Sequence, residues 1–260
     1  MSTSPRMPVL FIGHGSPMNI LLKNGFTDSL HALGGALPRP ETILVVSAHW
    51  LTAGTFVTCE SDPRQIYDFY GFPPELYKLQ YRPKGSPDKA GRVVQAVKNT
   101  AVRCGTEWGL DHAAWAVLHH MFPGAGIPVI EMSLDVTRDE PYHYDLGREL
   151  ADLRRQGVLI LGSGNIVHNL RILDFEMDAP PVGWSVEIDE KVNRHLLNRE
   201  HDALIHWRGM GKNAALAVPT NEHYLPMLYA IALQEPDEEI HFTFEGMQNG
   251  TISMRSFRIG

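Results

Sequence analysis

The run Pro8-Val9-Leu10-Phe11-Ile12-Gly13-His14-Gly15-Ser16-Pro17 decides how the rest of the chain is read. Residues 8–12 are a short continuous apolar stretch, the pattern of a buried β-strand. The histidine that follows sits where this strand gives way to a loop. Glycines on both sides let the backbone turn tightly and leave the imidazole accessible. In open α/β sheets, ligands bind outside the carboxyl ends of the strands. His14 is therefore a candidate site residue by position alone.

Working outward, Thr42-Ile43-Leu44-Val45-Val46-Ser47 predicts a second buried strand that ends at His49, within Ser47-Ala48-His49-Trp50. Two central, parallel, neighbouring strands would deliver both histidines to one sheet edge. Val158-Leu159-Ile160-Leu161 predicts a third strand, running into Gly162-Ser163-Gly164-Asn165-Ile166-Val167-His168-Asn169. His223 lies in the comparable setting Asn221-Glu222-His223-Tyr224-Leu225-Pro226. One strand-end histidine is more often a hydrogen-bonded structural residue than a ligand. Four in such settings point to a single metal-centred site, because imidazole is the commonest ligand for zinc and ferrous iron in nitrogen and oxygen sites.

Further strands are expected at residues 55–58, 102–104 and 127–133, and along the alternation of Phe242, Phe244, Ile252, Met254 and Phe257. Helices are expected over 27–33, 113–121, 141–155, 184–199 and 224–233. Another opens at Ser86-Pro87-Asp88, with a serine cap and proline in the first turn, and runs through Val97. Leu146, Leu150 and Leu153 form the apolar face of the 141–155 helix, and Gly157 ends it. Residues 209–219 read as a loop. The irregular stretch Ile66-Tyr67-Asp68-Phe69-Tyr70-Gly71-Phe72-Pro73-Pro74 either pins its rings onto the core or covers a ligand. Alternating strands and helices predict an α/β fold: a single domain over residues 1–260 with a mostly parallel central sheet flanked by helices.

Composition excludes several classes. With 43% hydrophobic and 20% charged residues, the chain has ordinary globular character. A net charge of −7, with no long run of one sign, argues against nucleic acid as a partner. No stretch reaches the roughly 20 apolar residues of a membrane span. Residues 1–7 carry no long apolar segment of a signal peptide, so a cytoplasmic location is expected. Cys59 and Cys104 form no Cys-x-x-Cys pair and no disulfide framework, and are expected as small buried hydrophobes. His31, His119, His120, His143, His195, His201, His206 and His241 read as surface or helix residues. Gly162-Ser163-Gly164 lacks the third glycine of a dinucleotide fingerprint, and no Gly-Lys-Ser/Thr follows. Ser163 is not in a Gly-x-Ser-x-Gly elbow, since Leu161 and Asn165 occupy the flanking places. No His-Glu-x-x-His is present either.

Six pieces occur in order over nearly the whole chain: residues 13–17, Ser-Ala-His-Trp at 47–50, Tyr-Asp-Phe at 67–69 with Gly-Phe-Pro at 71–73, Asp-His at 111–112, Gly-Asn-Ile-Val-His-Asn-Leu at 164–170, and Glu-His-Tyr-Leu-Pro at 222–226. Together they resemble the class III extradiol ring-cleavage dioxygenases, and within them the DOPA-cleaving subgroup. The resemblance implies that His14, His49 and His223 hold a metal ion. It implies that His168 beside them is the acid/base, though some descriptions of the family count it as a fourth ligand. His112 matches a histidine that contacts substrate and serves catalysis, and Tyr67, Phe69 and Phe72 are expected to cover the ring. Better-studied members use two histidines and one carboxylate, the facial set suited to open-site iron. Here Glu222 and His223 are neighbours, and one backbone position aims only one of them at the ion. The implied cofactor is Fe(II) for activity, with Zn(II) occupying the site as isolated. The implied partners are a small catechol and O2, joined with ring opening. A zinc hydrolase using the same histidines, or a metal-binding relative without turnover, are the alternatives.

Overall fold

The computed structural model describes residues 6–260, so the reading of residues 1–7 falls largely outside the described residues. The apolar run forms β1 (Val9–Gly13), buried throughout, followed by a 3-10 turn at Pro17–Ile20 and α1 (Gly25–Ala36). β2 (Thr42–Thr52) and β3 (Thr55–Thr58) come next, then a long irregular stretch and α2 (Pro87–Ala96). β4 (Val102–Gly105), α3 (His112–Met121), β5 (Val129–Asp135), α4 (Glu140–Glu149) and β6 (Val158–Gly164) alternate. α5 (Gly183–Leu197), α6 (His201–Ile205), α7 (Ala214–Ala217) and α8 (Leu225–Ala232) precede β7 (Ile240–Phe244), β8 (Met247–Gln248), β9 (Ile252–Ser253) and β10 (Ser256–Ile259).

Eight strands form one sheet in the order β4-β3-β5-β2-β6-β1-β10-β7. Its centre, β5-β2-β6-β1, is parallel, while β3 against β5 and the β1-β10-β7 side are antiparallel. β1 and β2 are not neighbours as expected; β6 lies between them and pairs with both. The consequence for the site is unchanged, because the three strands are parallel and end at one edge. Successive residues of the central strands point to opposite faces, and both faces are covered. Leu44, Val46 and Ile160 pack with Leu146, Ile188 and Leu228 of α4, α5 and α8. Ile43, Val45 and Leu161 pack with Leu30, Trp115 and Leu118 of α1 and α3. Each such side chain contributes about 1.5–3 kcal/mol by leaving water.

Caps set the helix starts. Asn24 and Thr27 form a capping box on α1, Ser86 accepts from Lys89 N–H on α2, and Asp111 accepts from Ala114 N–H on α3. The helix expected over 141–155 stops at Glu149. Bonds of the 3-10 kind, Leu150 N–H to Gly147 O and Leu153 N–H to Leu150 O, carry the chain on through Ala151–Gln156 to Gly157, whose φ of 73° ends it. A short helix, α7, lies inside the expected loop at 209–219.

The cysteines correct the sequence reading. Cys59 and Cys104 are joined by a disulfide, with Cys104 exposed and Cys59 half-buried. β3 and β4 run side by side with Val57 opposite Cys104, and this register brings together two residues 45 apart in sequence. A disulfide is uncommon in a reducing compartment and sits poorly with the expected cytoplasmic location. Among the described residues, no helix is long and apolar enough to cross a membrane.

His143 on α4 is fully buried. It accepts from the Tyr229 hydroxyl at Nδ1 (3.0 Å) and donates from Nε2 to the Asp135 carbonyl (3.2 Å). Burial pushes its pKa from 6.5 down to about 4. The unfolded chain therefore takes up a proton that the folded chain refuses. The stability is complete above pH 6.5 and is lost as pH falls toward 4, by at most about 3 kcal/mol. His143→Gln should flatten the fall in unfolding free energy between pH 7 and 4.5 relative to wild type; parallel curves would contradict this.

Candidate metal centre

Five histidines converge at the sheet edge. His14 follows the last residue of β1, and its backbone N–H donates to Gly164 O at the end of β6 (3.1 Å). His49 lies inside β2 and not at its end. The pairing of β2 with β5 shifts between Val46 and Leu51, and this irregularity re-aims the strand around His49. His112 is the first residue of α3. His223 precedes α8, and its carbonyl accepts from Asn165 N–H just beyond β6 (2.8 Å). His168 is held through its backbone N–H on Ala217 O (3.0 Å).

The glycines of Gly162-Ser163-Gly164 serve this assembly. A β-carbon at Gly162 would collide with the Pro226 carbonyl, and one at Gly164 with the His223 carbonyl. Backbone passes over backbone there, which only glycine permits. Ser163 is fully buried, donates to Ala113 O (2.7 Å) and lies 3.1 Å from His14 Nδ1.

The imidazole ring centroids of His14 lie 5.0 Å from His49, 5.6 Å from His112 and 5.4 Å from His223. His49 and His223 approach through Nε2, 3.2 Å apart. Donor atoms gather as two triads, His14 with His49 and His112, and His168 with Glu222 and His223. Within each triad they lie within 4.8 Å of one another, so the cluster can hold a metal ion. His168 and Glu222 both lie in the second triad, beside His223. Glu222, however, is engaged with His223 Nδ1 (3.1 Å) and the Thr220 hydroxyl (2.9 Å).

Burial sets the charge state. Desolvation, then the neighbouring imidazoles, holds His14 and His223 well below the ordinary histidine range. Burial pushes His168 down to about 4, against the opposing pull of Glu222. His112 is lowered by burial and by His49. His49 alone among the five is raised: burial opposes its charge, but Asp68, Asp111 and Glu222 outweigh it.

Asp68 is the functional contact that sequence reasoning missed. Its Oδ2 lies 2.5 Å from His49 Nδ1 and 2.8 Å from His112 Nδ1. Burial would raise its carboxyl, but these hydrogen bonds hold it far below the usual carboxylate range. The signals in the sequence are a lone carboxylate inside an aromatic loop and the Tyr-Asp-Phe piece that contains it. Of the aromatic residues, Phe69 stands edge-on to His112 with centroids 5.3 Å apart. Tyr67 and Phe72 pack against Phe69, and Tyr67 also against Trp115.

A cluster of buried histidines, four of them held neutral by burial, at the carboxyl edge of a parallel sheet centre is the mark of a metalloenzyme class. Residues 9–254 match the family described as "Catalytic LigB subunit of aromatic ring-opening dioxygenase", and the chain belongs to that family as an extradiol ring-cleavage dioxygenase. It is 42% identical to "4,5-DOPA dioxygenase extradiol" of Escherichia coli K12, over 99% of this chain and 96% of that protein. It is 33% identical to the protein of the same name from Mirabilis jalapa, over 85% and 84%. A crystal structure of an uncharacterized Escherichia coli K12 protein superposes with a TM-score of 0.86 at 39% identity, covering 98% of this chain and all of that one.

Gly164→Ala must displace the segment that carries His223. It should lower thermal stability and weaken Co(II) binding at least tenfold, read by titration. Gly91→Ala, where a β-carbon meets open space in α2, should gain about 0.4–1 kcal/mol. Wild-type cobalt affinity in the Gly164 variant would show that the crossing does not position the site.

Proposed function

We propose that the protein is a non-haem Fe(II) enzyme that adds O2 to a small catechol, DOPA-like in structure, and opens its ring. One observation carries the metal part. His49 Nδ1 faces Asp68 and His223 Nδ1 faces Glu222 (3.1 Å), which directs both Nδ1 protons outward. With both rings neutral, as metal ligation requires, the two Nε2 lone pairs face each other at 3.2 Å, an arrangement that a cation between them relieves. The donor set fits a borderline divalent ion such as iron or zinc. His14, His49 and His223 are the proposed ligands. The engagement of Glu222 with His223 and Thr220 supports an orienting role for this carboxylate and not direct ligation.

Bound ferrous iron would supply the redox-active centre at which dioxygen and the ring react. Zinc has no accessible redox change and would bind without turnover. Both oxygen atoms of O2 remain in the product, so no external reductant is needed. The names of the relatives support a DOPA-like substrate.

His168 is the proposed acid/base. Its ring stacks on His223 with centroids 3.5 Å apart and planes 11° from parallel. A ligating lone pair lies in the ring plane, and two nearly parallel planes at this spacing do not meet at one ion. This supports a place beside the metal and not a fourth ligand. Held near a pKa of about 4, His168 is neutral at physiological pH and free to accept a phenolic proton. His112 is the proposed substrate contact, and Phe69, packed on it, the residue that keeps water from the ring. Tyr67 and Phe72 support Phe69.

Oxygen uptake after anaerobic Fe(II) loading tests this reading. Catechols, L-DOPA included, should consume one O2 per ring opened, and the zinc-loaded protein should consume none. His168→Gln should keep its iron while kcat falls roughly 10²–10⁴-fold. No uptake with iron, together with ester hydrolysis by the zinc form, would overturn the proposal.

A further inference from the structure

Asp68 touches two site histidines through one atom. Oδ2 meets His49 Nδ1 and His112 Nδ1, while Oδ1 accepts the backbone N–H of His112 (2.9 Å). An ionised carboxylate can only accept, so both rings donate from Nδ1. A neutral imidazole protonated at Nδ1 carries its lone pair on Nε2.

We propose that Asp68 is the positioning residue of this site: one carboxylate oxygen fixes His49 as a metal donor through Nε2 and His112 as a hydrogen-bond acceptor through Nε2. The metal half stands on geometry alone. The substrate half rests on the catechol reading, and there His112 receives a hydrogen bond from a free ring hydroxyl. A methyl ether at that position has no proton to offer and would be rejected.

The carboxylate is pre-set for this task. Its loop is anchored immediately before it by Ile66 N–H to Leu110 O and Leu110 N–H to Arg64 O, both 2.8 Å. Trp115 Nε1 donates to Ile66 O (2.8 Å), and the Tyr67 hydroxyl to Leu79 O (2.6 Å). The bonds to Leu110 and Trp115 tie the residues just before Asp68 to the segment that leads into α3 and to α3 itself, which carries His112. The N-terminus of α3, where His112 is the first residue, also favours the anion. No other carboxylate among the described residues hydrogen-bonds two histidines of the cluster.

Asparagine reproduces the shape but not the chemistry. With its oxygen toward the rings, its NH2 opposes the His112 backbone N–H. Flipped, it offers no acceptor to either ring. Glutamate restores the acceptors with one extra methylene.

The test uses the full chain loaded with Zn(II), which is diamagnetic, and ¹⁵N-labelled histidine. Long-range ¹H–¹⁵N correlations read the tautomer of each ring, and competition with a chelating dye reads zinc affinity. Wild type should show Nδ1–H for both His49 and His112. Asp68→Asn should lose the His112 signature and bind zinc about 10–100-fold more weakly, while Asp68→Glu should recover part of that affinity. In the Fe(II) form at saturating metal, Asp68→Asn should raise KM for catechol more than it lowers kcat. An Nε2–H tautomer at His112 in wild type would overturn the proposal even if the asparagine variant does not fold, and so would wild-type zinc affinity in that variant. If catechols are not turned over at all, the nitrogen and zinc results still decide the role of Asp68 and the substrate reading fails separately.

Discussion

The close crossing of the 223–226 backbone over the end of β6 is the constraint on which the site depends. The Asn165 N–H and the His223 carbonyl lock the crossing, and Gly162 and Gly164 leave room for it. On its other side β6 pairs with β1 through Gly13 and holds His14 N–H. One strand end therefore joins two histidines that are more than 200 residues apart in the chain. Parallel pairing with β2 brings the third to the same edge.

Burying imidazoles together carries a cost. Each loses hydration, and none can keep a proton beside the others unless a carboxylate compensates. The fold meets this by tying the outward nitrogen of four of the five rings to a partner: Ser163 for His14, Asp68 for both His49 and His112, Glu222 for His223. These partners select which nitrogen faces inward. When the rings are all neutral the outcome is a set of lone pairs that repel one another without a cation, a local conflict of the kind proteins keep at functional sites.

Local patterns made much of this legible. The continuous apolar runs at 8–12, 42–47 and 158–161 are strands because both sheet faces are covered. Ser86-Pro87 reads correctly as a helix start because capping depends on neighbouring residues only. All four strand-end or loop histidines meet in one cluster. Strand order was not legible, and β6 entered between β1 and β2. The register shift that places His49 within β2 has no sequence signature. The Cys59–Cys104 disulfide shares that fate, and the role of Asp68, though its Tyr-Asp-Phe motif was visible, was not legible either. Asp68 acquires its role from residues 19 and 44 positions away and the cysteines pair across 45, which periodicity does not report.

The proposed centre holds a single ion among His14, His49 and His223, with His168 and Glu222 outside its coordination. Anomalous diffraction at the zinc edge from zinc-loaded crystals tests it most directly. One peak is expected, about 2.0–2.1 Å from a ring nitrogen of each of those three histidines. A peak bonded to His168 or to a Glu222 oxygen, or two peaks with one in each triad, would contradict it.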